Sequence, residues 1–323
     1  MIFTIVLFAL GLIALIWSAN LFIDGAASIA KFYKVSPLLI GILIVGFGTS
    51  APELLVSAIS AYQGSPGLAM GNAYGSNIAN IALILGISAI VHPITVHSKI
   101  LRKELPVLLL LSIIAGLQIL DGNLSRMNAL FLLIMFALLI VWTLKQTFKE
   151  SNDALGQNVS TDCCIPSLNI KKAWIWLIAG LTILIASSRL LVATATSIAT
   201  FFGVSELVIG LTIIALGTSL PELASCLCAI RKGEYDLALG NVLGSNLFNT
   251  LAVVGIAGII HPFSVETIVI RRDILLMIVL TLLLFIFGYG ITGKQGKINR
   301  LEGVLLCCIY IGYLTALVLS VLS

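Results

Sequence analysis

Apolar residues along this chain gather in long unbroken runs, not in the short stripes of a soluble amphipathic helix. Ten runs stand out, at about 2–22, 37–61, 68–91, 105–121, 127–145, 173–193, 205–230, 237–260, 273–291 and 303–322. Crossing the hydrocarbon core of a bilayer takes roughly 20 apolar residues in a helix. The pattern therefore predicts an all-α polytopic membrane protein with ten transmembrane helices. The runs beginning at Pro37 and at Glu206 are each broken in the middle by Gly, Thr, Ser and Pro. The first run has no Lys or Arg ahead of it and no clear small-residue cleavage site. It reads as a first span and not as a signal peptide.

Composition points the same way. Hydrophobic residues make up 59% of the chain and charged residues 10%, with a mean hydropathy of +1.14; a soluble domain carries about 25% charged residues. Loop charges suggest an orientation. With the N-terminus outside, the inner loops hold Lys31, Lys34, Lys99, Arg102, Lys103, Lys145, Lys149, Lys171, Lys172, Arg231, Lys232, Lys294, Lys297 and Arg300, which is 14 of the 18 basic residues. Arg126, Arg189, Arg271 and Arg272 stay outside. The positive-inside rule then places both termini on the outer, periplasmic side. The net charge of +4 follows from this asymmetry and does not suggest a nucleic-acid partner. Of the six cysteines, Cys226, Cys228, Cys307 and Cys308 fall in spans, where cysteine packs as a small apolar residue. Cys163 and Cys164 adjoin in an inner loop, with no CxxC or His spacing to make a metal site.

The chain also repeats itself. Shifted by 169 residues, positions 48–93 match 217–262 at 20 of 46 places without a gap. The identities fall on Gly48/Gly217, Thr49/Thr218, Ser50/Ser219, Pro52/Pro221, Glu53/Glu222, Gly71/Gly240, Asn72/Asn241, Gly75/Gly244, Ser76/Ser245, Asn77/Asn246 and Asn80/Asn249. Composition bias in membrane helices would favour Leu, Ile and Val instead. Five spans per repeat is an odd number, so the second copy enters the membrane from the opposite side. Arg102-Lys103 accordingly falls inside and its counterpart Arg271-Arg272 outside. The expected architecture is two inverted-topology five-helix repeats, 1–145 and 173–323, joined by a polar cytoplasmic linker at 146–172. Such folds bind substrate near the midplane, where broken helices of the two halves meet.

The repeated residues suggest the chemistry. A proline inside a helix removes a hydrogen bond and clashes with the carbonyl four residues back, here Gly48 for Pro52 and Gly217 for Pro221. Freed carbonyls at membrane depth need another partner, and a cation can serve. Glu53 and Glu222 are the charged residues placed deep within the predicted spans, a costly position, and neither has a basic neighbour within a turn or two. A metal cation is the simplest partner. Thr49 and Glu53 share a helix face, as do Thr218 and Glu222, Ser76 and Asn80, and Ser245 and Asn249. Gly71, Gly75, Gly240 and Gly244 form small-xxx-small pairs that let backbones approach. Taken singly, Ser, Thr and Gly in membrane helices are usually packing residues; the duplicated set around two midspan acids is not explained that way. His92, His97 and His261 sit at span ends and read as interfacial. The cluster offers only oxygen, which suits Ca²⁺ or Na⁺, disfavours zinc and copper, and suits Mg²⁺ less well.

At these residues the chain resembles the cation/calcium exchanger superfamily, which includes the sodium/calcium exchangers. The resemblance rests on Gly-Thr-Ser-x-Pro-Glu at 48–53 and 217–222 and on Gly-Asn-x-x-Gly-Ser-Asn at 71–77 and 240–246. It covers nearly the whole chain and is nearest to short bacterial inner-membrane members without a calcium-binding regulatory domain. It implies a ten-helix antiporter that moves Ca²⁺ against Na⁺ by alternating access, with no resident cofactor. It implies Glu53 and Glu222 as central Ca²⁺ ligands and Thr49, Ser50, Thr218, Ser219, Ser76 and Ser245 as ligands of Ca²⁺ or Na⁺. Backbone carbonyls near Gly46 and Ala215 would join them, and spans one and six would slide against the other eight. In many members the position of Asn249 is an aspartate, opposite an asparagine at the position of Asn80. Here both are Asn, which leaves stoichiometry, K⁺ dependence and the coupling ion open.

Other classes fit less well. Proton-coupled calcium exchange uses the same glutamates as proton carriers. A channel could be lined by duplicated acids, but inverted broken helices favour alternating access. An intramembrane hydrolase built on Ser50 or Ser219 needs a base within hydrogen-bond reach, and the histidines lie at span ends.

Overall fold

The computed structural model describes residues 2–97, 100–153, 169–203, 215–265, 268–289 and 296–322. They are mostly helical, as backbone in hydrocarbon must be to satisfy its own polar groups. The helices are α1 Ile2–Tyr33, α2 Pro37–Ile40, α3 Phe47–Thr49, α4 Ala51–Tyr62, α5 Pro66–Ile78, α6 Gly86–Val91, α7 Leu105–Leu117 and α8 Arg126–Asp153. They continue as α9 Ile170–Phe201, α10 Ala215–Thr218, α11 Leu220–Arg231, α12 Tyr235–Phe248, α13 Val254–Ile260, α14 Leu275–Gly288 and α15 Arg300–Leu322. Wider π-helical stretches join several of them: Gly41–Gly46, Ala79–Leu85, Ile100–Glu104, Asn249–Val253 and Val269–Ile274.

Among the described residues six helices are long and apolar enough to cross a membrane: Ile2–Tyr33, Gly67–Val91, Arg126–Lys145, Ile170–Phe201, Tyr235–Ile260 and Arg300–Leu319. The second predicted run is a bent pair, Pro37–Thr49 and Ala51–Tyr62, turning by 44°. The fourth and ninth runs are helical as α7 and α14, each entered through a π-helical stretch. Part of the seventh run, 204–214, lies outside the described residues.

Some boundaries differ from the sequence reading. Helix α1 continues beyond residue 22 to Tyr33, because Phe22, Ile23, Ala26, Ile29 and Ala30 are its most buried part. Asp24, inside that extension, is held by Lys232 with Nζ to Oδ1 at 2.7 Å, so a charge there does not end the helix. Helix α8 runs to Asp153, eight residues into the stretch read as linker. Residues 154–168, with Cys163 and Cys164, lie outside the described residues. Glu104 and Asp273, 169 apart, are buried as well (3% exposed each), so Glu53 and Glu222 are not alone in carrying acid into the interior. Asp273 is paired with Arg272 at 2.7 Å.

The centre belongs to α5–α6 and α12–α13. Their apolar windows are 72% and 83% buried, against 17–33% for the other long helices. The outer helices turn Ile5, Ile13, Phe131, Leu138, Leu305 and Ile311 to the surroundings, as a lipid-facing surface requires. Helices α1 and α9 pack along each other at two glycines. A Cβ on Gly25 would sit 2.6 Å from the Leu177 nitrogen, and one on Gly180 would sit 2.6 Å from the Phe22 nitrogen.

Two short antiparallel ribbons tie distant loops together, and neither was expected from the sequence. Strand β1 (Ile94–Val96) pairs with β4 (Gly296–Ile298), and β2 (Asn123–Leu124) pairs with β3 (Phe263–Ser264).

Candidate ion-binding site

The site grows from the broken helix that carries Glu53. After the π-helical stretch Gly41–Gly46 and the short α3, the chain leaves helical geometry at Ser50 (φ −84°, ψ 5°) and restarts as α4. Pro52 falls in the first turn of α4, where its missing N–H costs nothing. The same sequence 169 residues later gives α10, a break at Ser219 (φ −88°, ψ 6°) and α11 with Pro221 in its first turn. Glu53 and Glu222 thus occupy the first turn of a restarting helix, where the macrodipole favours negative charge.

The two halves meet side chain to side chain. Ser50 donates its hydroxyl to Glu222 Oε1 at 3.2 Å, and Thr49 also stands beside that carboxyl. In the other half Thr218 stands beside the carboxyl of Glu53, and Glu222 is near enough for its charge to bear on Glu53. Ser219 Oγ reaches Ser76 Oγ at 3.4 Å. Ser245 donates to the Gly46 carbonyl at 3.2 Å. Asn80 Nδ2 donates to Asn246 Oδ1 at 2.9 Å, and Asn246 in turn reaches the Asn77 carbonyl at 3.3 Å. Ala215, in register with Gly46, opens α10. Asn249 begins the π-helical stretch after α12, fully buried.

Burial here is nearly complete, with Thr218 the half-buried member. Thr49, Ser50, Glu53, Ser245 and Asn249 are 0% exposed, and Ser76, Asn80, Ser219 and Glu222 are between 1% and 4%. Both carboxyl oxygens of Glu53, Oε2 of Glu222, and the amide oxygens of Asn77, Asn80 and Asn249 reach no hydrogen-bond donor among the described residues. Buried acceptors of this kind normally find a partner. Asn80 has its nitrogen fixed by Asn246, which leaves its oxygen as the free end. The set is made of hard oxygen donors, which a Ca²⁺ or Na⁺ ion fits.

Close backbone packing holds the halves together. A Cβ on Gly240 would lie 2.4 Å from the Leu38 carbonyl oxygen, one on Gly244 2.5 Å from that of Ile42, and one on Gly46 2.8 Å from the Ser245 nitrogen. The small-xxx-small expectation therefore holds for Gly240 and Gly244. For Gly71 and Gly75 nothing among the described residues lies within 4 Å. The register of the other half would set 207–211 against them, and these lie outside the described residues.

A family model described as "Sodium/calcium exchanger protein" matches residues 3–145 and 172–319. The chain belongs to the sodium/calcium exchanger family. It is 46% identical over 306 residues to the "Putative antiporter CaxA" of Alkalimonas amylolytica, covering 94% of this chain and 95% of that one. It is 27% identical over 330 residues to the "Ca(2+)/H(+) antiporter ChaA" of Bacillus subtilis, covering 95% and 90%. Among solved structures, the sodium-calcium exchanger NCX_Mj soaked with Na⁺ and Ca²⁺ superposes with a TM-score of 0.83 at 33% identity, over 98% of this chain and 99% of that one. These relatives are transporters, in keeping with the reading of the chain as a non-enzyme.

Within this exchanger-family fold, several residues that the sequence reading did not assign as ion ligands also reach the candidate site. Asn241 accepts from the Thr49 hydroxyl at 3.1 Å and donates to the Glu222 carbonyl at 3.3 Å, joining the two halves. Its repeat mate Asn72 donates to the Glu53 carbonyl at 3.1 Å and to Ser57 Oγ at 3.0 Å. The repeat itself was the signal for this pair. Ser188, on α9, had no such signal, because its counterpart is Ala19. It donates at 2.8 Å to the Gly217 carbonyl, one of the carbonyls that the prolines leave unpaired. In that copy a protein hydroxyl, and not a cation, supplies the partner. Ser188→Ala is expected to cost about 1 kcal/mol, seen as a lower melting temperature of the detergent-purified protein. Ser187→Ala, which removes a bond only to Leu184 of its own helix, should lower it less. Equal melting of the two variants would contradict the assignment.

Proposed function

We propose that this chain is a secondary active antiporter that exchanges Ca²⁺ for Na⁺ across a bacterial-type inner membrane, by alternating access at a midplane site between two inverted halves. The observation that carries the reading is the pair of fully buried carboxyl groups, Glu53 and Glu222, on repeat-related broken helices. Ser50 donates to Glu222 across the halves, Thr218 stands beside Glu53, and both oxygens of Glu53 and Oε2 of Glu222 reach no hydrogen-bond donor among the described residues. Two carboxylates balance one Ca²⁺, and the oxygen donors around them match its preference. Glu53, Glu222, Thr49 and Thr218 are the proposed metal ligands, with Ser50, Ser219, Ser76, Ser245, Asn80, Asn249 and the carbonyls of Gly46 and Ala215 completing the ion path.

The ribbons support the inverted arrangement of ten spans. Each joins a loop of the first half to a loop of the second that the charge rule assigns to the same side: β1 with β4 inside, β2 with β3 outside. The Asp24–Lys232 pair likewise joins two inner ends. The α1–α9 pair, packed on itself through Gly25 and Gly180, is suited to move as one body against the rest.

A proton-coupled reading has one observation in its favour, the full-length relative named as a Ca²⁺/H⁺ antiporter. Both are tested by ⁴⁵Ca²⁺ uptake into proteoliposomes loaded with Na⁺, with K⁺, or with a pH gradient alone. Uptake is expected with internal Na⁺ and to be abolished when the Na⁺ gradient is collapsed. Uptake that follows only the pH gradient would replace Na⁺ by H⁺. Uptake that needs no counter-ion gradient would make the protein a channel.

A further inference from the structure

The C-terminal part of α1 is tied to the C-terminal end of α11 by a small polar cluster. Lys232, which caps α11, meets Asp24 with Nζ to Oδ1 at 2.7 Å and also donates to the Asn20 carbonyl at 3.2 Å. Cys228 Sγ donates to Asn20 Oδ1 at 3.1 Å. The ion pair is sheltered, with the Asp24 side chain 15% and the Lys232 side chain 24% exposed. The repeat does not duplicate this cluster. Across the 169-residue shift, Lys232, Asp24, Asn20 and Cys228 correspond to Gln63, Ala193, Arg189 and Ile59. That second set holds no acid, so α9 and α4 have no matching ion pair to form at these positions. Gln63 and Ala193 are both exposed.

Two copies of one fold in opposite orientations can exchange shapes. In an exchanger that alternates access by moving one part against another, the second arrangement is the one in which α9 stands to α4 as α1 stands to α11 in this structure. Were the repeat perfect, the two arrangements would have equal energy. The Asp24–Lys232 cluster forms in one of them only. A slide of α1 by one helical turn, about 5.4 Å, takes Asp24 out of reach of Lys232, and the exchanged arrangement offers Ala193 and Gln63 in return. We propose that Asp24 and Lys232 form a one-sided latch that weights the resting protein toward the arrangement of this structure, closed where α1 meets α11. The inference rests on the alternating-access antiport reading above and adds to it which arrangement is the resting one. Exposed ion pairs contribute little and breaking a buried one costs much more, so a pair sheltered to this degree is expected to shift the ratio of arrangements by about tenfold.

Cys228 reports the latch directly, because its thiol lies against Asn20 and the residue is 8% exposed while α1 stays in place. The full chain in proteoliposomes is treated with N-ethylmaleimide, and modification of Cys228 is followed by mass spectrometry of its peptide. Asp24→Asn and Lys232→Gln are each expected to speed that modification by about tenfold. Asp24→Lys combined with Lys232→Asp should return it toward the unmodified rate. Transport gives a second readout, the half-saturating Ca²⁺ concentration measured from each side of the membrane. In the single variants it should fall by up to about tenfold on the side where α1 meets α11 and rise by less than about twofold on the other, as the scarcer arrangement gains population. Loss of structure alone would weaken both sides. Ala193→Asp combined with Gln63→Lys, at two exposed positions, builds the matching latch on the other copy and should shift the same two values in the same directions, which keeps the test open if the Asp24 variants do not fold. Unchanged Cys228 modification in the single variants, a charge-exchanged pair that behaves like them, or equal shifts of the two Ca²⁺ values overturns the latch and leaves antiport standing. Ca²⁺ movement indifferent to every counter-ion gradient in the unmodified protein overturns the antiport reading and the latch with it.

Discussion

Glu53→Gln and Glu222→Gln are each expected to abolish calcium transport while leaving the protein folded. Glutamine keeps the shape of the side chain and removes its charge. A neutral amide costs less to bury than a carboxylate, so melting temperature in the absence of Ca²⁺ should stay level or rise. Calcium binding loses one of the two charges that balance the ion. Removing one partner of a buried charged pair costs about 3–5 kcal/mol, which weakens binding by roughly 10²-fold to several thousandfold. Two measurements check this. Uptake of ⁴⁵Ca²⁺ into proteoliposomes should fall to background, and the rise in melting temperature that Ca²⁺ gives the unmodified protein should vanish. The two variants should behave alike, because each glutamate faces hydroxyls of the opposite half. Transport at the unmodified rate by either variant would remove that residue from the site.

The second large effect is on assembly. Gly244→Ala places a methyl group 2.5 Å from the Ile42 carbonyl oxygen and 2.7 Å from its Cα, and Gly240→Ala places one 2.4 Å from the Leu38 carbonyl oxygen. Both obstacles are backbone, so no side chain can swing away. Overpacking of this kind costs about 1–3 kcal/mol, and more where the surroundings cannot yield. The helix segment before the break should be pushed off α12, lowering both melting temperature and the yield of monodisperse protein. Gly312→Ala is the control, since nothing among the described residues lies within 4 Å of its added Cβ. If Gly244→Ala and Gly312→Ala melt together, the close approach of the segment before Glu53 to α12 is wrong.

The candidate site was legible in the sequence because its residues are the wrong ones for hydrocarbon. Glu53, Glu222, Asn80 and Asn249 stand out against Leu and Ile, and their recurrence at one spacing rules out chance. The parts that were not legible have no such contrast. Ser188 caps the Gly217 carbonyl, yet its repeat mate is alanine and a lone serine in a membrane helix usually only packs. Glu104 and Asp273 follow Lys103 and Arg272 directly, so a reading by loop charge leaves them at the surface. Asn20 and Asp24 made α1 look finished near residue 22, because the ion pair to Lys232 that allows the helix to continue spans 208 positions. The π-helical stretches are likewise set by helix–helix fit and not by a local run of residue types.

The ribbons bear on how the protein is made. Ile94 of β1 has to wait for Ile298 before its backbone is paired. At about 5–20 residues per second of synthesis, some 200 intervening residues take roughly 10–40 s. During that interval the first ribbon has one edge, and newly inserted helices wait beside an unmatched strand. Closing this ribbon therefore has to follow the synthesis of residues 296–298 and of every helix between the two strands. A nascent chain stalled before residue 296 would still present that open edge to the membrane-protein quality-control proteases.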